Sequence, residues 1–147
     1  MGRIMDRSQR QFQWPIRIYY EDTDATGVVY HAHYLKYFER ARTEWLRALG
    51  FDQEQLRRQE NLAFTVVSAQ LDFKRPARLD DQIMVSAHVS RQRRASLEFS
   101  QTIQRDETLL AQGRFRVACI SADQFKPCAL PSALQHAFST KTSQESQ

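Results

Sequence analysis

Apolar and polar positions recur along the chain with two different periods, and the change of period marks out its elements. Residues 14–20 (WPIRIYY) are rich in β-branched and aromatic side chains and alternate around Ile16, Arg17 and Ile18, which predicts a strand. A polar loop, EDTDATGVV, follows. From residue 31 to residue 49, Tyr34, Phe38, Ala41, Trp45 and Ala48 or Leu49 return at spacings of three and four, while Lys36, Glu39, Arg40, Thr43 and Arg47 occupy other faces. That spacing predicts one long amphipathic helix. Gly50 stands just past the last periodic residue, where a helix often ends in a left-handed residue. After a second helical stretch at 53–59 the period shortens to two, and 64–73, 82–90, 96–104 and 109–120 read as strands. The connections RPARLDD, RQRRA and RDET are short and polar, so these four strands are expected to follow one another as an antiparallel meander. A short helix is expected after Pro131.

A long helix with one apolar stripe must bury it, and the only large surface available is a face of the sheet. The expected architecture is therefore α+β: a five-stranded antiparallel sheet wrapped around one long central helix. A ferredoxin-like arrangement would need a second sheet-covering helix within 64–120, where no such periodicity occurs. Residues 12–138 form the expected domain. The polar ends, 1–11 and 139–147, lack apolar periodicity and are expected to be flexible.

Composition narrows the class. With 147 residues, 41% of them hydrophobic, the chain suits a single folded domain and not a disordered one. No apolar run approaches the roughly 18 residues a membrane-crossing helix needs. The beginning, MGRIMDRSQRQ, lacks the apolar stretch of a secretory signal, so a cytoplasmic location is expected. Cys119 and Cys128 lack the close spacing of a metal or redox motif and are expected to be free thiols. A formal charge of +4 is too mild to imply an anionic partner. Its distribution is more telling, since Lys74, Arg75 and Arg78 crowd one segment and Arg91, Arg93 and Arg94 another. No recognition helix or stacking-aromatic motif accompanies these clusters, so nucleic acid is not expected as a partner.

Candidate chemistry concentrates in YEDTDATGVVYHAHY, residues 20–34, between the first strand and the helix. Asp22, Asp24, Thr26 and Gly27 imitate the opening of a calcium loop, but the position of the closing bidentate Glu is His33, and Val28, Val29 and Tyr30 intervene. A transition-metal site from Asp24, His31 and His33 finds no further ligands elsewhere, and an HxH pair at the start of a helix points its two imidazoles in different directions. No metal or other cofactor is expected. A solvated acidic turn accounts for Glu21 and Asp22, but not for a Gly-Val-Val-Tyr run into a helix. That helix start offers amides with partial positive charge and no Ser, Thr, Asp or Asn cap around residues 29–32. Such amides can receive a developing oxyanion. Asp24 lies a few residues upstream on a loop that can fold over the same point, and a carboxylate plus amide donors around one carbonyl is apparatus for acyl transfer to water.

The run Y-x-D-T-D-x-x-G-V-V-Y-H-x-x-Y, as it stands from Tyr20 to Tyr34, resembles the hotdog-fold acyl-CoA thioesterases related to 4-hydroxybenzoyl-CoA thioesterase. The fuller string WPIRIYYEDTDATGVVYHAHYLKYFERARTEWL, with the later RPARLDD and KPCALP, is similar to the Tol-Pal-associated acyl-CoA thioesterase family in particular. The resemblance spans residues 12–134 and implies the hotdog fold, with Asp24 as catalytic carboxylate and the backbone N–H of His31 as the group that polarises the carbonyl. It leaves Asp22 a structural role. Thr26 stands where a Gly is common in relatives.

Asp24 then either attacks the thioester carbonyl or activates water, and in both cases must be ionised. The expected substrate-contacting residues are Gly27, Val29, Tyr30 and Tyr34, with Arg75, Arg78, Arg91 and Arg94 for the phosphates of CoA. His33 is expected to be an exposed helix residue without a role. The expected substrate is acyl-CoA, with acyl carrier protein as the alternative carrier. Five strands and one helix leave an edge and the Asp24 loop poorly covered, so a homo-oligomer, dimer or tetramer, is expected, and the resemblance implies active sites at the dimer interface. A noncatalytic acyl-thioester or envelope-complex binding module on the same fold is the alternative, and the Asp24 carboxylate argues against it. A hotdog hydratase would pair an Asp with a downstream His at a spacing this chain lacks.

Overall fold

A computed structural model describes residues 4–5 and 11–145, with side chains from 11 to 138. Among the described residues six strands and three α-helices follow one another: β1 (Ile4–Met5), β2 (Gln11–Arg17), α1 (His31–Ala48), α2 (Gln53–Glu60), β3 (Leu62–Phe73), β4 (Gln82–Gln92), β5 (Ser96–Arg105), β6 (Thr108–Ser121) and α3 (Ser132–Glu145). Of the expected flexible ends, residues 1–3, 6–10 and 146–147 lie outside the described residues, while β1 forms at Ile4–Met5 and α3 runs on to Glu145.

The sheet is antiparallel, in the order β1-β2-β4-β5-β6-β3. Five strands are long, as expected; the sixth is the two-residue β1 on the β2 edge. The meander holds from β4 to β6 but not before it, because β3 pairs with β6 at the far edge. Residues 74–81 therefore cross three strand spacings, roughly 14 Å at about 4.8 Å each, which their length allows. RPARLDD is a crossover, not a hairpin. The first strand also ends earlier than the 14–20 expected. Asp22 Oδ2 accepts the Tyr19 N–H at 2.8 Å and turns the chain into a 3-10 turn at Tyr20–Asp22.

Alternation aims Ile83, Val85, Ala87 and Val89 of β4, and Leu97, Phe99 and Ile103 of β5, at α1. Tyr34, Tyr37, Phe38, Ala41, Trp45 and Leu46 of α1 are buried against them. Phe38 meets Phe115 with ring centroids 5.2 Å apart, and Trp45 lies between Phe12 and Phe138. One polar pin crosses this interface. Buried Arg42 donates to Gln101 Oε1 at 2.9 Å and lies 4.6 Å over the Phe115 ring, while Gln101 Nε2 donates to the Phe38 carbonyl at 3.1 Å. Burial draws the Arg42 guanidinium down to about 10. Gly50 ends the helix as expected, at φ +97°. Both cysteines are free, and burial pushes the Cys119 thiol up to about 11.

Candidate active site

The loop between β2 and α1 is folded by its own short-range bonds. Thr23 and Val29 face each other as an isolated bridge, and the Asp24 N–H donates to the Val28 carbonyl at 2.9 Å. Gly27 returns the chain, its N–H donating to the Asp24 carbonyl at 3.0 Å, with φ +85°. That backbone conformation is open to glycine and costly for other residues. The loop leans on the β3–β4 crossover, where the Val29 N–H donates to the Ala77 carbonyl at 2.8 Å and Val28 bridges Arg78.

The two carboxylates of D-T-D have opposite surroundings. Asp22 is buried and accepts the Tyr19 N–H, while its own carbonyl accepts the Tyr30 N–H at 3.3 Å. Asp24 is exposed. Its Oδ1 accepts from the Thr26 hydroxyl at 2.6 Å and the Thr26 N–H at 2.8 Å, and these bonds, the hydroxyl's first, hold its carboxyl below the ordinary aspartate value. Asp24 is therefore ionised at neutral pH. Thr26 supplies a side-chain bond to the carboxylate that a Gly at this position could not.

Helix α1 begins at His31 with Tyr30 as N-cap, extended at φ −67° and ψ 138°, and no side chain caps its first amides. Beside this bare terminus lies an open cleft of about 180 Å³, lined by Val28, Val29, His31, Tyr34, Phe73, Lys74, Arg75 and Pro76. The His31 ring rests on Phe73, centroids 4.5 Å apart. Tyr34 is buried beneath it, and its hydroxyl accepts the Ala77 N–H at 3.0 Å, tying helix to crossover.

Four of the expected residues thus meet at one cleft: Val29, His31, Tyr34 and Arg75. Gly27 and Asp24 belong to the loop whose Val28 and Val29 form its wall, though neither lines it. Tyr30, 58% exposed, points away from the core. Arg78 lies on the adjoining crossover. Arg91 and Arg94 do not join them: Arg91 is near the far end of β4, which the crossover enters at Gln82, and Arg94 lies beyond that end. His33 departs most from expectation. It is half-buried, with Nε2 3.8 Å from Asp22 Oδ1. Sequence reading also missed Phe73, which lines the cleft from the end of β3, and Ala77 of the crossover, whose backbone bonds Val29 and the Tyr34 hydroxyl. Among the described residues no group of three or more His, Cys, Asp or Glu side chains gathers as a metal site.

The model of the thioesterase-like superfamily matches residues 19–138. The chain is similar to an acyl-CoA thioesterase YbgC from Haemophilus influenzae, 46% identical over 127 residues that cover 86% of this chain and 93% of that one. It is similar also to an acyl-CoA thioester hydrolase YbgC from Escherichia coli, 44% identical over 128 residues, covering 86% and 95%. Among solved structures, a probable thioesterase from Bartonella henselae superposes with a TM-score of 0.77 at 37% identity, covering 81% of this chain and 98% of that one. A 1,4-dihydroxy-2-naphthoyl-CoA thioesterase from Synechocystis superposes with a TM-score of 0.82 at 26% identity, covering 88% and 96%.

Proposed function

The chain belongs to the thioesterase-like superfamily, among the YbgC acyl-CoA thioesterases, and from that premise we propose that it hydrolyses acyl-CoA through Asp24 and the N-terminus of α1. The observation that carries this is the pairing of an ionised carboxylate with an uncapped helix start on either side of the Val28–Val29 wall. The thioester carbonyl takes a hydrogen bond from the His31 N–H, which strengthens as its oxygen gains charge. Asp24 either adds to the carbonyl carbon and expels the CoA thiolate, giving an anhydride that water then opens, or takes a proton from a water whose attack expels the same thiolate; in both routes the proton released by water ends on the thiolate. Both routes end in free acid and the thiol of CoA, without a cofactor.

Val29 and Tyr34 shape the acyl side, while Gly27 acts by returning the loop and exposed Tyr30 meets substrate only outside the cleft. Arg75 and Arg78 meet CoA phosphates at the cleft end. Arg91 and Arg94 reach a phosphate only if a second copy brings its far end to this cleft. Two observations support such pairing. Asp24 stands uncovered in one chain, and β3 presents a 12-residue edge with Val66, Val67 and Phe73 exposed. A dimer across that edge, paired further into a tetramer, would cover both. The sheet then wraps α1 as the central helix of a hotdog domain. Among the described residues no helix is long and apolar enough to cross a membrane. The reading places the enzyme in the cytoplasm, acting beside the Tol-Pal envelope system, on acyl-CoA or the same acyl groups on acyl carrier protein.

The test is a hydrolysis assay across short, long and aromatic acyl-CoAs, with light scattering on the same sample. Turnover of at least one acyl class by a species larger than 17.3 kDa is expected. No turnover of any thioester would favour the binding-module alternative.

A further inference from the structure

His33 and Asp22 face each other behind the Asp24 loop, and the chemistry above uses neither side chain. The His33 side chain is 22% exposed and that of Asp22 12%, with Nε2 and Oδ1 3.8 Å apart. The imidazole stands edge-on to Tyr30, centroids 6.3 Å apart, and 6.4 Å from the Tyr37 ring. His33 Nδ1 and the Tyr37 hydroxyl are both buried without a hydrogen-bond partner. The Tyr37 hydroxyl is near enough to Asp22 to feel its charge, although no bond of good geometry joins them. Burial first, and that charge second, raise the Tyr37 phenol.

Asp22 grips both roots of the loop. Its carboxylate takes the Tyr19 N–H at 2.8 Å and its carbonyl the Tyr30 N–H at 3.3 Å. Between these anchors the chain carries Asp24, and just past the second stands His31. Asp22 therefore sets where the carboxylate loop stands relative to the helix amides. His33, on the first turn of α1, is the helix's own contact with Asp22.

We infer that His33 is a positioning residue: its ring, wedged between Asp22, Tyr30 and Tyr37, holds the base of the loop against the first turn of α1 and so fixes Asp24 relative to the His31 amide. This rests on the hydrolase reading of the site. At 3.8 Å the contact is too long for a hydrogen bond from a neutral ring. It becomes an ion pair whenever the ring carries a proton. The titratable groups facing the ring are Asp22 from the turn, Tyr30 from the helix cap and Tyr37 from the next turn of α1. An apolar side chain would fill the space but leave Asp22 Oδ1 against a surface with no polarity.

The test uses the full chain, with His33→Ala and His33→Gln beside wild type. It reads kcat and KM on butanoyl-CoA and benzoyl-CoA, the thermal midpoint, and hydrogen exchange of peptides covering residues 19–33. In His33→Ala, kcat should fall roughly tenfold with KM held within about twofold. Exchange should quicken in 19–33 alone, and His33→Gln should recover most of both losses. Adding Asp22→Asn to His33→Ala should lower kcat little beyond the worse single variant, since both act through one contact. Wild-type kcat and exchange in His33→Ala would overturn the inference, as would a rise in KM alone, which marks a substrate contact. Faster exchange throughout the core, with a lowered midpoint, would also overturn it by making His33 a general packing residue. Should wild type hydrolyse neither thioester, the hydrolase reading fails separately, and exchange over 19–33 in His33→Ala still decides the positioning claim.

Discussion

At its C-terminal end α1 is enclosed: Trp45 is 1% exposed, stacks on Phe12 at 6.0 Å and meets Phe138 edge-on at 5.2 Å. At its N-terminal end the same helix has a bare start, an exposed N-cap in Tyr30, a cleft beside it and a loop whose key carboxylate faces solvent. One end turns side chains inward and leaves little to react. The other leaves polar groups unspent, and it is there that the D-T-D run falls. On the proposed reading, stability and chemistry are separated along one 18-residue helix, so a substitution at one end should leave the other's property nearly intact.

Trp45→Ala should show the largest loss of stability, about 3–5 kcal/mol, because a large aromatic leaves a cavity its neighbours cannot close. Denaturant unfolding measures it, and kcat per folded molecule should stay near wild type. Gly27→Ala is the counterpart at the other end. No atom lies within 4 Å of the added Cβ, so the cost is that of the φ +85° backbone alone, about 1–2 kcal/mol. There kcat should fall more than stability does. An equal fall of kcat in both variants would show that the two ends are not separable.

Two smaller effects sharpen the picture. Arg75→Gln should raise KM for acyl-CoA roughly threefold to tenfold and leave a phosphate-free thioester unchanged. Thr26→Ala removes the hydroxyl bond that contributes most to lowering the Asp24 pKa. A depressed carboxyl is active above its pKa and fails as pH falls through it, so without that bond the acid limb of the kcat profile should move to higher pH. An unmoved limb would mean that another group governs it.

The helix was legible in the sequence because its stripe, Tyr34, Phe38, Ala41 and Trp45, keeps a single period, and all four are buried. Strands β4 to β6 were legible for the same reason. The β3–β4 crossover was not, since a polar run such as RPARLDD reads alike whether it turns back or crosses, and only its pairing distinguishes the two. Arg42 was hidden because a guanidinium over Phe115 with Gln101 beneath it leaves no apolar signature. For the site, the D-T-D run and the uncapped helix start were visible as letters in order. The His33–Asp22 contact depends on how the 3-10 turn folds back on α1, which no local period encodes.

The comparison closes on two aspartates two positions apart. Asp22→Asn and Asp24→Asn each remove one negative charge from the same loop, and kcat on a hydrolysed acyl-CoA, measured with both variants confirmed as folded, separates their roles. Asp24→Asn should lower kcat by something on the order of a hundredfold to ten-thousandfold with substrate binding retained. Asp22→Asn should lose roughly tenfold, together with some stability. Wild-type turnover in Asp24→Asn, or an equal loss in the two variants, would contradict the assignment of the chemistry to Asp24.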